Sequence, residues 1–419
     1  MRDEINVELN KAKRNKLYKI IGIISFIIIL FAYLIMNYFT KVYLYNGKIA
    51  NNVFIQGIEV SDMKKEDAIK LINEKFSPQN VILQYEDSRY EITSEEIDLK
   101  YDTEKKVEEA YSITRTGSYF NDIKSYIQVK SRGQKYTIGV SYNEESLDKS
   151  LEEVADDINQ SASNAKVNIS GGSISIIPSK EGKVFEVEEN KQLIVKSLNA
   201  KDYNPLDLKV SITKPKISTK DVSSINTSFA SFSTSFNSSL AGRSYNIRLS
   251  AQRSNGVILL PGETFSYNNQ TGPRVLSNGF KNAPVIMNND YVDGPGGGVC
   301  QTSTTLFNAV LLAGLEIDEV HNHSKTSSYA SRGRDAMVND GGSDLRFTNN
   351  FDHAVYVQCY SSGSSVYAAI YGASQDKVGV NIDVDHFTYN NLPAAKTYRT
   401  ITKNGKSEKS YIYTSVYKE

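Results

Sequence analysis

"GGGVCQTSTTLFNA", Gly296 to Ala309, is the stretch from which the chain is read. Three glycines and a valine lead into Cys300, one of two cysteines in 419 residues. The run QTSTTLFNAVLLAGLE has helical spacing: Leu306, Phe307, Val310 and Leu311 share one side, and Gly314 is placed as a C-cap. Thr302 or Ser303 is available near the helix start. A cysteine in a first helical turn meets free N–H groups and the positive end of the dipole, and both favour thiolate. Gly297 and Gly298 permit positive φ and a close backbone approach, so they are expected to shape a pocket beside Cys300. The N–H groups of Cys300 and Gln301 are candidate donors to a developing oxyanion. The side chains of Gln301 and Ser303 are candidate caps or substrate donors.

LEIDEVHNHS follows as a predicted strand, and its H-x-H spacing would put His321 and His323 on one face. A helix-borne Cys beside a strand-borne His is what thiol acyl-transfer chemistry needs, with Asp335 in SRGRDAMV as the candidate that orients the imidazole. Three other readings of Cys300 remain: a disulfide with Cys359, a zinc site with His321, His323 and Asp335, or an unreactive buried thiol. The ligand spacing matches no strong metal signature. Cys359 shares a face with Val355 and Val357 and reads as core. His353 and His386 read as structural.

Outward from this centre, residues about 227 to 372 are glycine-rich and hold both cysteines and three of the four histidines. RLSAQRSNGVILLPGETFSYN reads as helix, strand and Pro-Gly turn, and AVYVQCYSSGSSVYAAIYG as a hairpin. The Ser/Thr-rich stretch 218–239 carries Phe229, Phe232 and Phe236, too many for a tether, and is placed at the entry to this domain. Residues 50–216 have neither His nor Cys. They alternate predicted helices (from a cap at Ser61 or Asp62; NEESLDKSLEEVADDI; VEENKQLIVKSLNA) with strands (VILQYEDSRYEITSEEIDLKYD; the Gly171-Gly172 hairpin; DLKVSIT). An α+β binding or spacer region, in one or two units, is expected there.

Residues 1–19 carry a basic excess, and Ile20 to Met36 is a 17-residue run without charge. Residues 20–39 reach the ~20 needed to span a bilayer, and the flanking charge predicts a cytoplasmic N-terminus. No A-x-A-like site follows, so an uncleaved signal anchor is expected, with roughly 380 residues outside. The 48 basic and 48 acidic residues cancel, which gives no nucleic-acid footprint. The fold class expected is α+β: one transmembrane helix, an α+β spacer, and an α+β domain whose cysteine starts a helix packed beside strands.

The blocks NIRLSA, NGVILLPGETFSYNN, GPRV, GGGVCQTSTTLFNAVLLAGLEI, HNHS, GRDAMV and DLRFTNN resemble the VanW domain, over roughly Ser228 to Tyr371. Tyr136 to Ala200 resembles, more loosely, the peptidoglycan-binding domain that often precedes it. TYRTITKNGKSEKSYIYTSVY is similar to the strand pair that often closes such proteins. The divisions implied are 50–216 for the peptidoglycan-binding region, 217–375 for the VanW domain and 376–419 for a strand extension. The family is named from vancomycin-resistance clusters, and some members of this architecture act as peptidoglycan L,D-transpeptidases with the cysteine as nucleophile. That resemblance implies a surface-exposed cell-wall enzyme with Cys300 as nucleophile, no cofactor or metal, and stem peptides and glycan strands as partners. His323, followed by Ser and then Gly-x-Asp-Ala, fits the family block better than His321. Tyr329 and Arg334 are candidate substrate contacts, Arg334 through a stem carboxylate. The rival readings are a non-catalytic wall- or glycopeptide-binding protein and a zinc-dependent stem-peptide hydrolase.

Overall fold

The computed structural model describes residues 1–287 and 290–418, with the side chains of residues 286, 287, 290 and 291 left aside. It is a mixed α/β chain in two compact units: Met1–Asn159 with Val184–Ser211, and Gln160–Lys183 with Ile212–Glu419.

The first unit begins with one helix, Arg2–Phe39, continued by a wider turn over Thr40–Leu44. Among the described residues it is the one helix long and apolar enough to cross a membrane. Beyond it lie short strands and five helices: Lys65–Lys75, Thr103–Ser112, Tyr119–Arg132, Glu144–Ile158 and Val187–Ala200. The fourth shows why they form. The Asn143 side chain accepts from the Ser146 N–H as an N-cap, and Leu147, Leu151, Val154, Ala155 and Ile158 recur on one buried face. Each large apolar side chain so buried contributes about 1.5–3 kcal/mol. The first of the five starts at Lys65, three or four residues after the expected cap. The Ser61 hydroxyl accepts the Val53 N–H instead, and Asp62 sits at φ 59°, so the chain turns before it coils.

The second unit surrounds the cysteine helix, Val299–Ala313, which buries almost every residue. A four-stranded antiparallel sheet runs in the order Thr227–Ser235, Ser365–Gly372, Val355–Ser362, Val257–Leu259. A three-stranded sheet (Thr264–Ser266, Arg346–Thr348, Glu316–Glu319), a hairpin (Asn282–Met287 with Asp290–Pro295) and the helix Ala241–Ser254 add to it. Phe229, Phe236, Ile247, Phe307, Phe347 and Val357 belong to one core, so the Ser/Thr-rich entry strand is part of the domain.

Two segments fall differently from the sequence divisions. The hairpin Lys166–Ser170 with Ser173–Ile177 belongs to the second unit, where Ala165 and Val167 pack with Val222, Ile225 and Tyr356. The closing three-stranded meander (Gly379–Tyr389, Leu392–Lys403, Lys406–Val416) is no appendage: Tyr413 enters the main core and Tyr417 is wholly buried.

Candidate functional site: a thiol, an imidazole and a buried carboxylate

Gly298, with φ 106° and ψ −22°, is the N-cap of the cysteine helix, a conformation that excludes ordinary side chains. A Cβ on Gly297 would lie 2.5 Å from the Pro284 carbonyl oxygen, and one on Gly296 2.7 Å from Arg274 Cβ. These glycines are therefore required by the domain's own close packing. The turn they make presents Cys300, partly exposed, at the helix start.

The polar residues after Cys300 face inward, where buried donors and acceptors need partners. Ser303 Oγ donates to the Ala336 carbonyl at 2.6 Å, and the Ala336 N–H donates to Thr304 Oγ1 at 3.0 Å. Asn308 Nδ2 donates to the Arg334 carbonyl, and Arg334 Nε to Asn308 Oδ1, both at 2.7 Å. Gln301 is held by Arg243 on its oxygen and gives its amide to Thr234 and the Ser235 carbonyl. One face of the helix thus staples the segment 334–338 in place.

That segment carries Asp335, 1% exposed. Its Oδ2 accepts both the His323 backbone N–H and His323 Nδ1, each at 2.7 Å. Its Oδ1 accepts the Tyr417 hydroxyl at 2.6 Å. With Nδ1 so committed, Nε2 is the His323 nitrogen left for other partners, and Tyr329 Oη lies 3.3 Å from it. The charges of Cys300 and His323 act on one another. The neutral thiol also reaches the Val338 carbonyl at 3.4 Å.

The electrostatics follow from this arrangement. Burial raises the thiol, but the imidazole, the Val338 backbone and the Arg274 charge outweigh it, so Cys300 lies below its ordinary value. Burial works against the imidazolium too, yet the hydrogen bonds and charges of Asp335 and Cys300 push His323 up to about 10. Both shifts favour the thiolate–imidazolium form of the pair. Burial and the neighbouring charges of Cys300 and Asp335 hold the Tyr329 phenol well above its usual value, so it stays neutral.

A model described as "VanW like protein" matches residues 242–371, and one described as "Putative peptidoglycan binding domain" matches 90–207. The chain is 35% identical over 216 residues to uncharacterized protein YoaR of Bacillus subtilis, covering 50% of this chain and 69% of that one. The chain belongs to the VanW-like family. It is also 30% identical over 113 residues to vancomycin B-type resistance protein VanW of Enterococcus faecalis, covering 26% of this chain and 41% of that one. No solved structure matches it. A VanW-like domain beside a peptidoglycan-binding domain supports a cell-wall-related function.

Within the VanW-like domain the structure gathers Cys300, His323, Asp335 and Tyr329. His321 stands apart: it is exposed and pairs with Glu319 Oε1 at 2.9 Å. The expected strand ends at Glu319, so the two histidines share no strand face. Gln301 and Ser303 neither cap the helix nor lie open to a substrate, and the Gln301 N–H already donates to the Gly298 carbonyl. Arg334 is half-buried between Asn308 and the Phe232 ring. Both cysteines are free, and Cys359 is a fully buried core residue. Arg274, Val338 and Thr304 escaped the sequence reading because their roles depend on which loops meet at Cys300.

Proposed function

We propose that this protein is a membrane-anchored peptidoglycan L,D-transpeptidase working through a Cys300 thioester, with its N-terminus cytoplasmic and the chain beyond the membrane helix facing the wall. What carries the reading is the buried Cys300–His323–Asp335 relay with His323 bonded at Nδ1. The Cys300 thiolate attacks the carbonyl between the third residue, a diamino acid, and the terminal D-Ala of a stem tetrapeptide. Among the described residues no backbone carbonyl takes the Cys300 N–H, which leaves it as a donor to the oxyanion. The imidazolium of His323 protonates the departing D-Ala amine, and the thioester remains. The side-chain amine of a neighbouring stem's third residue then attacks the thioester. His323 takes the amine's proton, the thiolate leaves, and a 3→3 cross-link results. Asp335 holds the imidazole in position throughout. Residues 90–207 would hold the wall polymer. No step calls for a metal or organic cofactor.

The test is incubation of the full-length protein in detergent with tetrapeptide-bearing wall fragments, weighing the products. Expected are free D-Ala and a cross-linked dimer, both lost in Cys300→Ala. Undiminished D-Ala release by that variant would sink the mechanism.

A further inference from the structure

The family match ends at residue 371, yet the relay it contains is completed from beyond it. Asp335 is a buried carboxylate with two oxygens to satisfy. Oδ2 is filled by the backbone N–H and Nδ1 of His323. Oδ1 is filled from just past the last strand of the meander, by the Tyr417 hydroxyl at 2.6 Å. That hydroxyl also accepts the Gly333 N–H at 2.8 Å. A phenol has one proton, and with its oxygen already accepting from Gly333 the proton points at Asp335. The hydrogen bond is therefore directional: Tyr417 gives and Asp335 receives.

The same strand grips the histidine segment. Asn322 Nδ2 donates to the Val416 carbonyl at 2.8 Å and to the His323 carbonyl at 2.7 Å. The Lys418 N–H donates to the Ser324 carbonyl at 2.6 Å, and the Tyr413 hydroxyl to the Asp335 backbone carbonyl at 2.9 Å. The groups facing the Asp335 carboxylate and the His323 ring are thus Tyr413, Tyr417, Tyr329 and Cys300, with the charges of Arg243 and Arg274 nearby.

We infer that Tyr417 is a positioning residue of the thiol site: its hydroxyl fixes Asp335 as the anion that aligns and charges His323, so the closing meander is part of the catalytic apparatus. The inference rests on the thiolate reading above. Without the hydroxyl, Asp335 Oδ1 and the Gly333 N–H both lose a buried partner. Asp335 is then held less firmly against the ring, the imidazolium loses support, and the Cys300 thiolate loses its counter-charge in turn.

The experiment is the rate of Cys300 labelling by iodoacetamide against pH, followed by peptide mass in the full-length protein in detergent. It needs no peptidoglycan substrate. In the unaltered protein the acid limb should lie below that of an ordinary thiol. Tyr417→Phe should move that limb towards neutrality and slow labelling on the acid side by about tenfold, since a charge-assisted hydrogen bond to Asp335 is lost. Replacing Tyr417 by p-aminophenylalanine, which fills the same space with a weaker donor, should give an intermediate limb and guards against a folding defect. Tyr413→Phe, removing a buried hydroxyl that donates to the Asp335 backbone carbonyl rather than to its carboxylate, should lower the thermal midpoint without moving the limb. A limb unmoved in both Tyr417 variants overturns the inference and leaves the thiolate reading standing. An ordinary thiol limb in the unaltered protein sinks the thiolate reading itself.

Discussion

Each unit buries one carboxylate against a tyrosine, with different consequences. In the first, Asp122 accepts the Tyr45 hydroxyl at 2.7 Å and the N–H and hydroxyl of Thr116 at 2.6 and 2.7 Å. Burial opposes its charge, but those bonds and the Arg115 guanidinium prevail and hold it below the usual range. In the second, Asp335 accepts Tyr417 and His323 with nearly the same lengths. Asp122 ties a loop to a helix; Asp335 ties an imidazole to a thiol. A buried, tyrosine-bonded carboxylate is therefore no sign of catalysis in itself. What makes the second a candidate site is a titratable ring beside both the carboxylate and a thiol that solvent can reach.

The sharpest way to break this comparison is to neutralise both carboxylates. Asp335→Asn should cut D-Ala release by a factor on the order of 10³, since the imidazole loses its orientation and counter-charge. Asp122→Asn should lower the thermal midpoint and keep the rate within about twofold. Equal kinetic losses would erase the distinction.

The pH dependence sharpens it next. His323, raised from 6.5 to about 10, contributes stability that is fully present below pH 6.5 and lost as pH rises through about 10. Cys300, lowered from 9.0, contributes stability present above pH 9 and lost as pH falls through its depressed value. Asp122, lowered from 3.8, contributes above pH 3.8 and loses it below. Turnover should hold steady between the thiol and imidazole limbs and fall through about pH 10, where the proton for the leaving amine is lost. The contribution of Asp122 in the first unit should be lost only in acid. Rate-versus-pH profiles and thermal melts check both.

Thr304→Val should have a smaller effect. It removes the acceptor of the Ala336 N–H, costing about 1–3 kcal/mol of stability and loosening the Asp335 segment. A melt and a rate measurement suffice. His321→Ala, at an exposed pair with Glu319, should change the rate by less than about twofold. A large loss there would move the imidazole role away from His323.

Much of this was legible in the sequence. Apolar spacing and turn residues located the Glu144–Ile158, Val187–Ala200 and Val299–Ala313 helices and the hairpin of Val355–Ser362 with Ser365–Gly372. The helices Thr103–Ser112 and Tyr119–Arg132 went unread. Cys300 stood out through local signals, a glycine turn and a helix start. The choice of His323 over His321 rested on family resemblance, and spacing misled, because the strand stops at Glu319 before either histidine. Gln301 and Ser303 looked like site residues because a polar run beside a nucleophile resembles a pocket wall. Only the fold shows that their partners are Ser235 and Ala336. Tyr417 gave no local signal: its hydroxyl reaches Asp335 from 82 residues further along the chain.

Cysteine itself offers the most direct test, because the chain holds its own control. Cys359 is fully buried and burial alone pushes its thiol up to about 12, whereas Cys300 is lowered and within reach of solvent. Brief incubation with stem tetrapeptide, acid quenching and peptide mass analysis should find the acyl stem, less its D-Ala, on the Cys300 peptide and none on the Cys359 peptide. D-Ala released at full rate with no adduct on Cys300, or an adduct on another residue, would contradict the account.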